Sequence, residues 1–209
     1  MEQVVDKQPK TFTDRLRLIF KVPVEAVAGL LVKTGLKPNT VTILGLVGHA
    51  GAAALVATGH VSWGGILLIV MAPIDFLDGT MARMLNESSR FGAFVDSVTD
   101  RYSEFVIFGG LLIYFSLRND WVSCLLIYIA VAASVLVSYI RARAETLNYP
   151  TKVGIMTRLE RYLVLIPALV FNIPMVGVWI IAIFANITAI QRIYDVRRQA
   201  YTEKALPKN

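Results

Sequence analysis

Six apolar stretches, each near the length a bilayer demands, fix what this chain can become. They run from about Thr40 to Thr58, Trp63 to Leu85, Phe91 to Leu117, Trp121 to Ala144, Arg158 to Phe171 and Pro174 to Val196. A helix needs ~20 residues to cross a hydrocarbon core about 30 Å thick, and only the fifth stretch is short. In lipid a spanning backbone must satisfy its own polar groups, which segments of this length do as helices. Composition agrees: 56% of the 209 residues are hydrophobic and mean hydropathy is +0.59, too apolar for an ordinary soluble domain. The expected fold is an all-α integral membrane domain of six transmembrane helices, occupying residues 38–198.

Before it, residues 1–37 read as an N-terminal cytoplasmic segment. Met1 to Lys10 are polar and loosely ordered; Thr11 to Lys33 carry Leu16, Phe20, Val24, Val27, Leu30 and Leu31 at helical spacing among Arg15, Arg17, Lys21 and Lys33. That is an amphipathic juxtamembrane helix lying in the interface, cut by Pro23. No continuous apolar core follows the first basic residues, so it does not read as a signal peptide. Residues 199–209 form a cytoplasmic tail. Pro38 suits a helix start, with Asn39 or Thr40 as its cap. Gly45, Gly48, Gly51 and Ala52 to Ala54 suit close packing in the first span. Cys124, the one cysteine, has no partner for an internal disulfide.

Four carboxylates are out of place in this apolar setting. Asp75 and Asp78 share a helical stripe with Gly79 and Ala82, with Arg83 at its edge, and Gly92, Asp96 and Asp100 recur every fourth residue on a second stripe. An ionised side chain at membrane depth costs several kcal/mol unless it is paired, wetted or bound to metal. If residues 86–90 turn tightly, the stripes run antiparallel and the carboxylates converge. Hard divalent cations take such oxygen ligands, and paired ions about 3.5–4 Å apart serve phosphoryl-type displacements. Gly79 and Gly92 leave room for a ligand or a facing helix. Arg83 offers the planar cation that suits a diphosphate.

The pattern D-x-x-D-G-x-x-A-R-x8-G-x3-D-x3-D is matched at every fixed position from Asp75 to Asp100, and it resembles the signature of the CDP-alcohol phosphotransferases. The resemblance implies an integral membrane enzyme that moves a phosphatidyl-type group from a CDP-linked lipid to an alcohol and releases CMP. Asp75, Asp78, Asp96 and Asp100 would hold Mg²⁺ or Mn²⁺, as one or two ions. Asp100 matches the last carboxylate of the signature, hence the base that takes the acceptor's proton; a role as ligand alone stays open beside it. Asn39, in the run L-x-P-N-x-V-T, joins Asp75, Asp78, Gly79, Ala82, Arg83 and Gly92 at the CDP-lipid, with capping as the alternative for Asn39. A homodimer is also implied.

A second cluster points to the acceptor. Ser138, Arg141, Arg143 and Glu145 close the fourth stretch, Arg158 and Arg161 open the fifth, and Arg192 lies late in the sixth. Arginine at bilayer depth needs an anion, and several around one cavity suit a phosphomonoester. The runs S-Y-x-R-A-R-A-E, G-x-x-x-R-x-E-R, Gln191-Arg192 and D-R-x-S-E from Asp100 to Glu104 resemble the inositol-phosphate branch of the family. That branch makes phosphatidylinositol phosphate, or its archaetidyl equivalent, from 1-myo-inositol 3-phosphate and CDP-diacylglycerol or a CDP-archaeol-type lipid. The same charges also fit local ion pairs: Arg141 with Glu145, Arg101 with Glu104, and Arg158 and Arg161 about Glu160.

Basic residues gather on one side of the expected bundle, around Arg83 and Arg90, from Arg141 to Arg161 and from Arg192 to Lys208, whereas the opposite loops carry Arg118 alone. The positive-inside rule puts both termini and the carboxylates on the cytoplasmic face of a multi-pass cell-membrane protein. The net charge of +6 faces anionic lipid and phosphorylated substrates; no basic tract interleaved with aromatics speaks for nucleic acid. Two rival readings remain: a phosphatidylglycerol phosphate synthase taking glycerol 3-phosphate, disfavoured by Asp100-Arg101 where that branch has D-K, and a metal-ion transporter. His49 and His60 have no partner at metal-ligand spacing.

Overall fold

The computed structural model describes residues 12–87 and 89–205, with side chains for 22–74, 76–87 and 89–202. Met1 to Lys10, the side chains of Leu16 and Phe20, and that of Asp75 lie outside the described set. Among the described residues there are eight helices and no strand: α1 (Phe12–Lys33), α2 (Pro38–Ala57), α3 (Val61–Met71), α4 (Ile74–Met84), α5 (Arg90–Ser116), α6 (Trp121–Thr146), α7 (Arg158–Val170) and α8 (Pro174–Ala205). Four stretches among them are long and apolar enough to cross a membrane: Pro38–Ala57, Val61–Met84 with α3 and α4 taken together, Trp121–Thr146 and Pro174–Thr202. α5 has the length, at 27 residues, but carries Asp96, Asp100, Arg101 and Glu104. α7 has only 13 residues.

α2 is the hub, with α3, α4 and α5 packed on it; α6 joins α5 to α8, and α7 bridges α3 and α8. Small residues permit this closeness, as helix association in lipid requires. A Cβ on Gly110 of α5 would stand 2.5 Å from the Ala53 carbonyl of α2, and one on Gly65 of α3 would stand 2.7 Å from the Val170 nitrogen of α7. The main core runs from Ala52 and Val56 through Ile107, Leu111, Ile127 and Leu169 to Ile181. A smaller one, Ala28, Val41, Leu77 and Met81, seats α1 and α4 on the start of α2.

Three boundaries differ from those expected. The second stretch is broken at Ala72 and Pro73. Proline has no N–H to continue the ladder, so the backbone bonding is interrupted although Ala72 and Pro73 both keep helical dihedrals. Conversely, α1 runs through Pro23 instead of being cut there; the part beyond it is held by Ala28 against α4, so one lost backbone bond is tolerated. α8 continues past Val196 to Ala205, with the boundary expected at 198 inside it. Gln199 extends it by bonding Asp195 Oδ2 one turn back and the Pro150 carbonyl across the loop, both at 3.1 Å.

Helix α2 starts at Pro38 as expected, but its cap is Lys37, in extended conformation and with no side-chain bond, so neither Asn39 nor Thr40 caps it. Ser89 caps α5 by accepting the Gly92 N–H at 2.9 Å. Asp120 caps α6, accepting from Ser123 Oγ at 2.6 Å and Ser123 N at 3.1 Å. Those two bonds, the hydroxyl's foremost, hold its carboxyl below the usual range. Short connections reverse the chain at each end, so Pro38, Met84, Arg90, Thr146 and Arg158 share one end of the bundle.

Candidate active site

The break at Pro73 decides where the first carboxylates stand. It starts α4 at Ile74, so Asp75 and Asp78 fall in its first two turns, where the helix dipole favours negative charge. Asp78 is 5% exposed. Its Oδ2 accepts from the Thr42 hydroxyl of α2 at 2.5 Å, and its Oδ1 from the Gly79 N–H at 2.5 Å. Gly79 itself is exposed: a Cβ there would meet nothing nearer than the Arg83 Nη1 at 4.0 Å. Of the two uses expected for this glycine, room for a facing helix is therefore not the one the structure makes; the ground above it is open. Arg83 overhangs that ground and donates to Thr80 Oγ1 at 2.9 Å. Asn39 is exposed on the first turn of α2, one turn before Thr42.

Asp96 and Asp100 are half-buried on α5. α4 and α5 each pack on α2, which therefore carries both carboxylate stripes. Among the described residues no three His, Cys, Asp or Glu side chains close into a cluster, and the side chain of Asp75 lies outside that set.

Across the bundle, the arginines divide by what holds them. Arg158 pairs with Asp100, and its guanidinium carbon lies 5.2 Å from the centre of the Tyr162 ring. Arg161, 2% exposed, grips Glu104 with two bonds, Nε to Oε1 at 2.7 Å and Nη2 to Oε2 at 2.8 Å, and gives Nη1 to the Met156 carbonyl at 3.3 Å. Arg192, also 2% exposed, donates Nη1 to the Val137 carbonyl of α6 at 2.6 Å and Nε to the Val153 carbonyl at 3.0 Å. Arg141 keeps its local partner, Glu145, at 3.0 Å. Arg143 is exposed, and Ser138 is half-buried with its hydroxyl on the Ser134 carbonyl at 3.3 Å.

One local pair expected as an alternative, Arg101 with Glu104, gives way to a longer-range one. Glu104 is taken by Arg161 and not by Arg101, which turns back to the Ser97 carbonyl. Glu160 accepts the Thr157 N–H at 2.9 Å as part of a capping box, while Arg158 and Arg161 reach over to α5. A signal for Glu104 was present, since Asp96, Asp100 and Glu104 continue one stripe at steps of four. Thr42 lay within L-x-P-N-x-V-T, but no spacing rule tied it to Asp78 on another helix.

The loop before α7 is fastened to α8. Thr188 Oγ1 accepts the N–H groups of Ile155 and Met156 at 3.3 and 3.0 Å. Gly154, at φ +122°, lies so close that a Cβ would stand 2.3 Å from Thr188 Cγ2; only glycine fits that turn and that approach.

The sequence profile of the CDP-alcohol phosphatidyltransferase family matches residues 36–190. The chain is 36% identical to a phosphatidylinositol phosphate synthase of Streptomyces avermitilis, covering 83% of this chain and 77% of that one. It is 34% identical to an archaetidylinositol phosphate synthase of Pyrococcus horikoshii, over 88% and 96%. Among solved structures it superposes on the phosphatidylinositol phosphate synthase of Mycobacterium tuberculosis at 30% identity. With CDP-DAG bound to that enzyme the TM-score is 0.77, covering 83% and 92% of the two chains; in its complex with manganese and citrate the score is 0.78, covering 83% and 88%.

Proposed function

The chain belongs to the CDP-alcohol phosphatidyltransferase family, and we propose that it acts there as a phosphatidylinositol phosphate synthase. It is a multi-pass membrane transferase that moves the phosphatidyl group of CDP-diacylglycerol to an inositol phosphate and releases CMP, with a divalent cation, Mg²⁺ or Mn²⁺. The observation that carries the assignment within the family is the meeting of Asp100 with Arg158: the candidate base on α5 lies against an arginine of the acceptor set on α7.

The donor set fits a hard cation by its chemistry: Asp75, Asp78, Asp96 and Asp100 are four carboxylates, and the ground over Gly79 is open. Held by these residues, the metal supplies neutralisation of the diphosphate's charge. The chain does the rest. Arg83 faces the diphosphate over Gly79, and Asn39, Ala82 and Gly92 border the nucleotide. Asp100 takes the proton of the attacking hydroxyl; the new P–O bond forms as the bond to CMP breaks and CMP keeps the electron pair. Ser138, Arg141, Arg143, Arg158, Arg161 and Arg192 form the acceptor-phosphate set; Arg192 also ties α6 to the loop before α7, and Arg161 ties α7 to Glu104 of α5.

The fold that goes with this reading has six crossings, with α3 and α4 as one and with α5 and α7 included. The amphipathic α1 lies in the interface, and the catalytic domain spans residues 38–198. The protein works as a homodimer in the cell membrane with termini and site cytoplasmic. Purified protein given Mg²⁺, CDP-diacylglycerol and either inositol phosphate or glycerol 3-phosphate should release CMP with the first alone. Release with glycerol 3-phosphate instead would move the chain to another branch.

A further inference from the structure

Asp100 is assigned to the metal and Arg158 to the acceptor's phosphate, yet in the structure the two hold each other. We infer that Arg158 is a resident counterion of Asp100 that competes with the divalent cation, so that metal binding releases this arginine to the acceptor's phosphate. The inference rests on Asp100 being one of the metal carboxylates.

Two arginine–carboxylate rungs bridge α5 and α7, and they differ in kind. Asp100 and Glu104 are a turn apart on α5, as Arg158 and Arg161 are on α7. The inner rung, Glu104–Arg161, is two-pronged and sealed, with side chains 6% and 2% exposed; breaking it would strand a buried charge. In the outer rung Asp100 is 18% exposed and Arg158 25%. Neither is sealed, and a partly exposed pair exchanges partners at lower cost than a buried one. The inner rung therefore keeps the helices at their spacing while the outer one opens.

The root of Arg158 is fixed. It is the first residue of α7, behind the Thr157–Glu160 capping box and a loop fastened to Thr188 and Arg192. A guanidinium leaving Asp100 still rests by Tyr162. A carboxylate oxygen shared by a guanidinium and a divalent cation sets two positive charges against each other. Tight hold on one partner loosens the other, and the coupling is reciprocal: whatever factor the metal adds to phosphate binding, phosphate adds to metal binding.

Binding of Mn²⁺ to the full-length protein in nanodiscs, without CDP-lipid, tests this, with inorganic phosphate as the probe for the acceptor group. Arg158→Gln should bind Mn²⁺ about five-fold or more tightly than the parent and lose the mutual enhancement between Mn²⁺ and phosphate. Arg158→Lys, keeping a cation, should stay near the parent in both. General damage to the site would weaken Mn²⁺ binding, the opposite sign. Unchanged or weaker Mn²⁺ binding in Arg158→Gln overturns the inference. Asp100→Asn separates it from its foundation: if that variant binds Mn²⁺ as the parent does, the metal assignment of Asp100 itself falls.

Discussion

The Thr42 hydroxyl ties α2 to an acidic residue of the signature. It is 7% exposed and bonds Asp78, itself 5% exposed. A hydrogen bond to a charged group contributes about 1.5–3 kcal/mol. Thr42→Val, which keeps shape and removes the donor, should cut CMP release by about ten-fold or more and raise the metal concentration needed for half-maximal rate. Thr42→Ser should restore both. Equal loss in Val and Ser, with no change in metal requirement, would reduce Thr42 to packing. At this scale the sequence was most legible where residues lie in one run, as with the family signature from Asp75 to Asp100. It was least legible where partners lie on different helices. Glu104 had a nearer candidate in Arg101, and only burial against α7 gave it to Arg161. Exposure likewise divided Arg143, at the surface, from Arg192, which spends donors on two carbonyls.

Helix ends are written in asparagine. Asn86, Asn119, Asn148 and Asn172 take left-handed φ of 54–62° at the ends of α4, α5, α6 and α7. At Asn172 the turn closes with its own N–H on Leu169 at 2.9 Å and the Ile173 N–H on Ala168 at 2.8 Å, satisfying carbonyls that the helix leaves open. Left-handed backbone costs a residue with Cβ roughly 1–2 kcal/mol, and asparagine bears it better than most. Asn172→Ala should lower unfolding stability by about 1 kcal/mol, and Asn172→Gly should not. Turnover per folded molecule should stay unchanged in both, since this turn is at the end away from Asp78. Thermal unfolding in detergent together with CMP release checks this. Hydropathy placed helices at the six stretches within a few residues, except that α8 runs on to Ala205; four stretches are long and apolar enough to cross a membrane. Their interruptions were harder, as a proline stops a helix or rides within it according to what packs beyond: Pro73 divides α3 from α4, while α1 continues through Pro23.

Across the whole molecule, every contact that builds the site lies at one end: Thr42 with Asp78, Arg158 with Asp100, Arg192 with Val137 and Val153. The connections at the other end, 58–60, 117–120 and 171–173, hold Arg118 as their sole Lys or Arg. In a Cys124→Ser background, Lys152→Cys should resist an impermeant maleimide in intact cells and react once they are opened, whereas His60→Cys should react in both. The reverse pattern would turn the protein over in the membrane. α7 finishes level with the start of α3, where Val170 meets Gly65. Its 13 residues span about 20 Å, roughly 10 Å less than the hydrocarbon. In the six-crossing arrangement proposed above, the shortfall falls at its beginning and would set Arg158 below the level of the headgroups. The lipid donor can thus stay at its natural depth, its tails never leaving oil, and it is the water-soluble sugar phosphate that makes the descent.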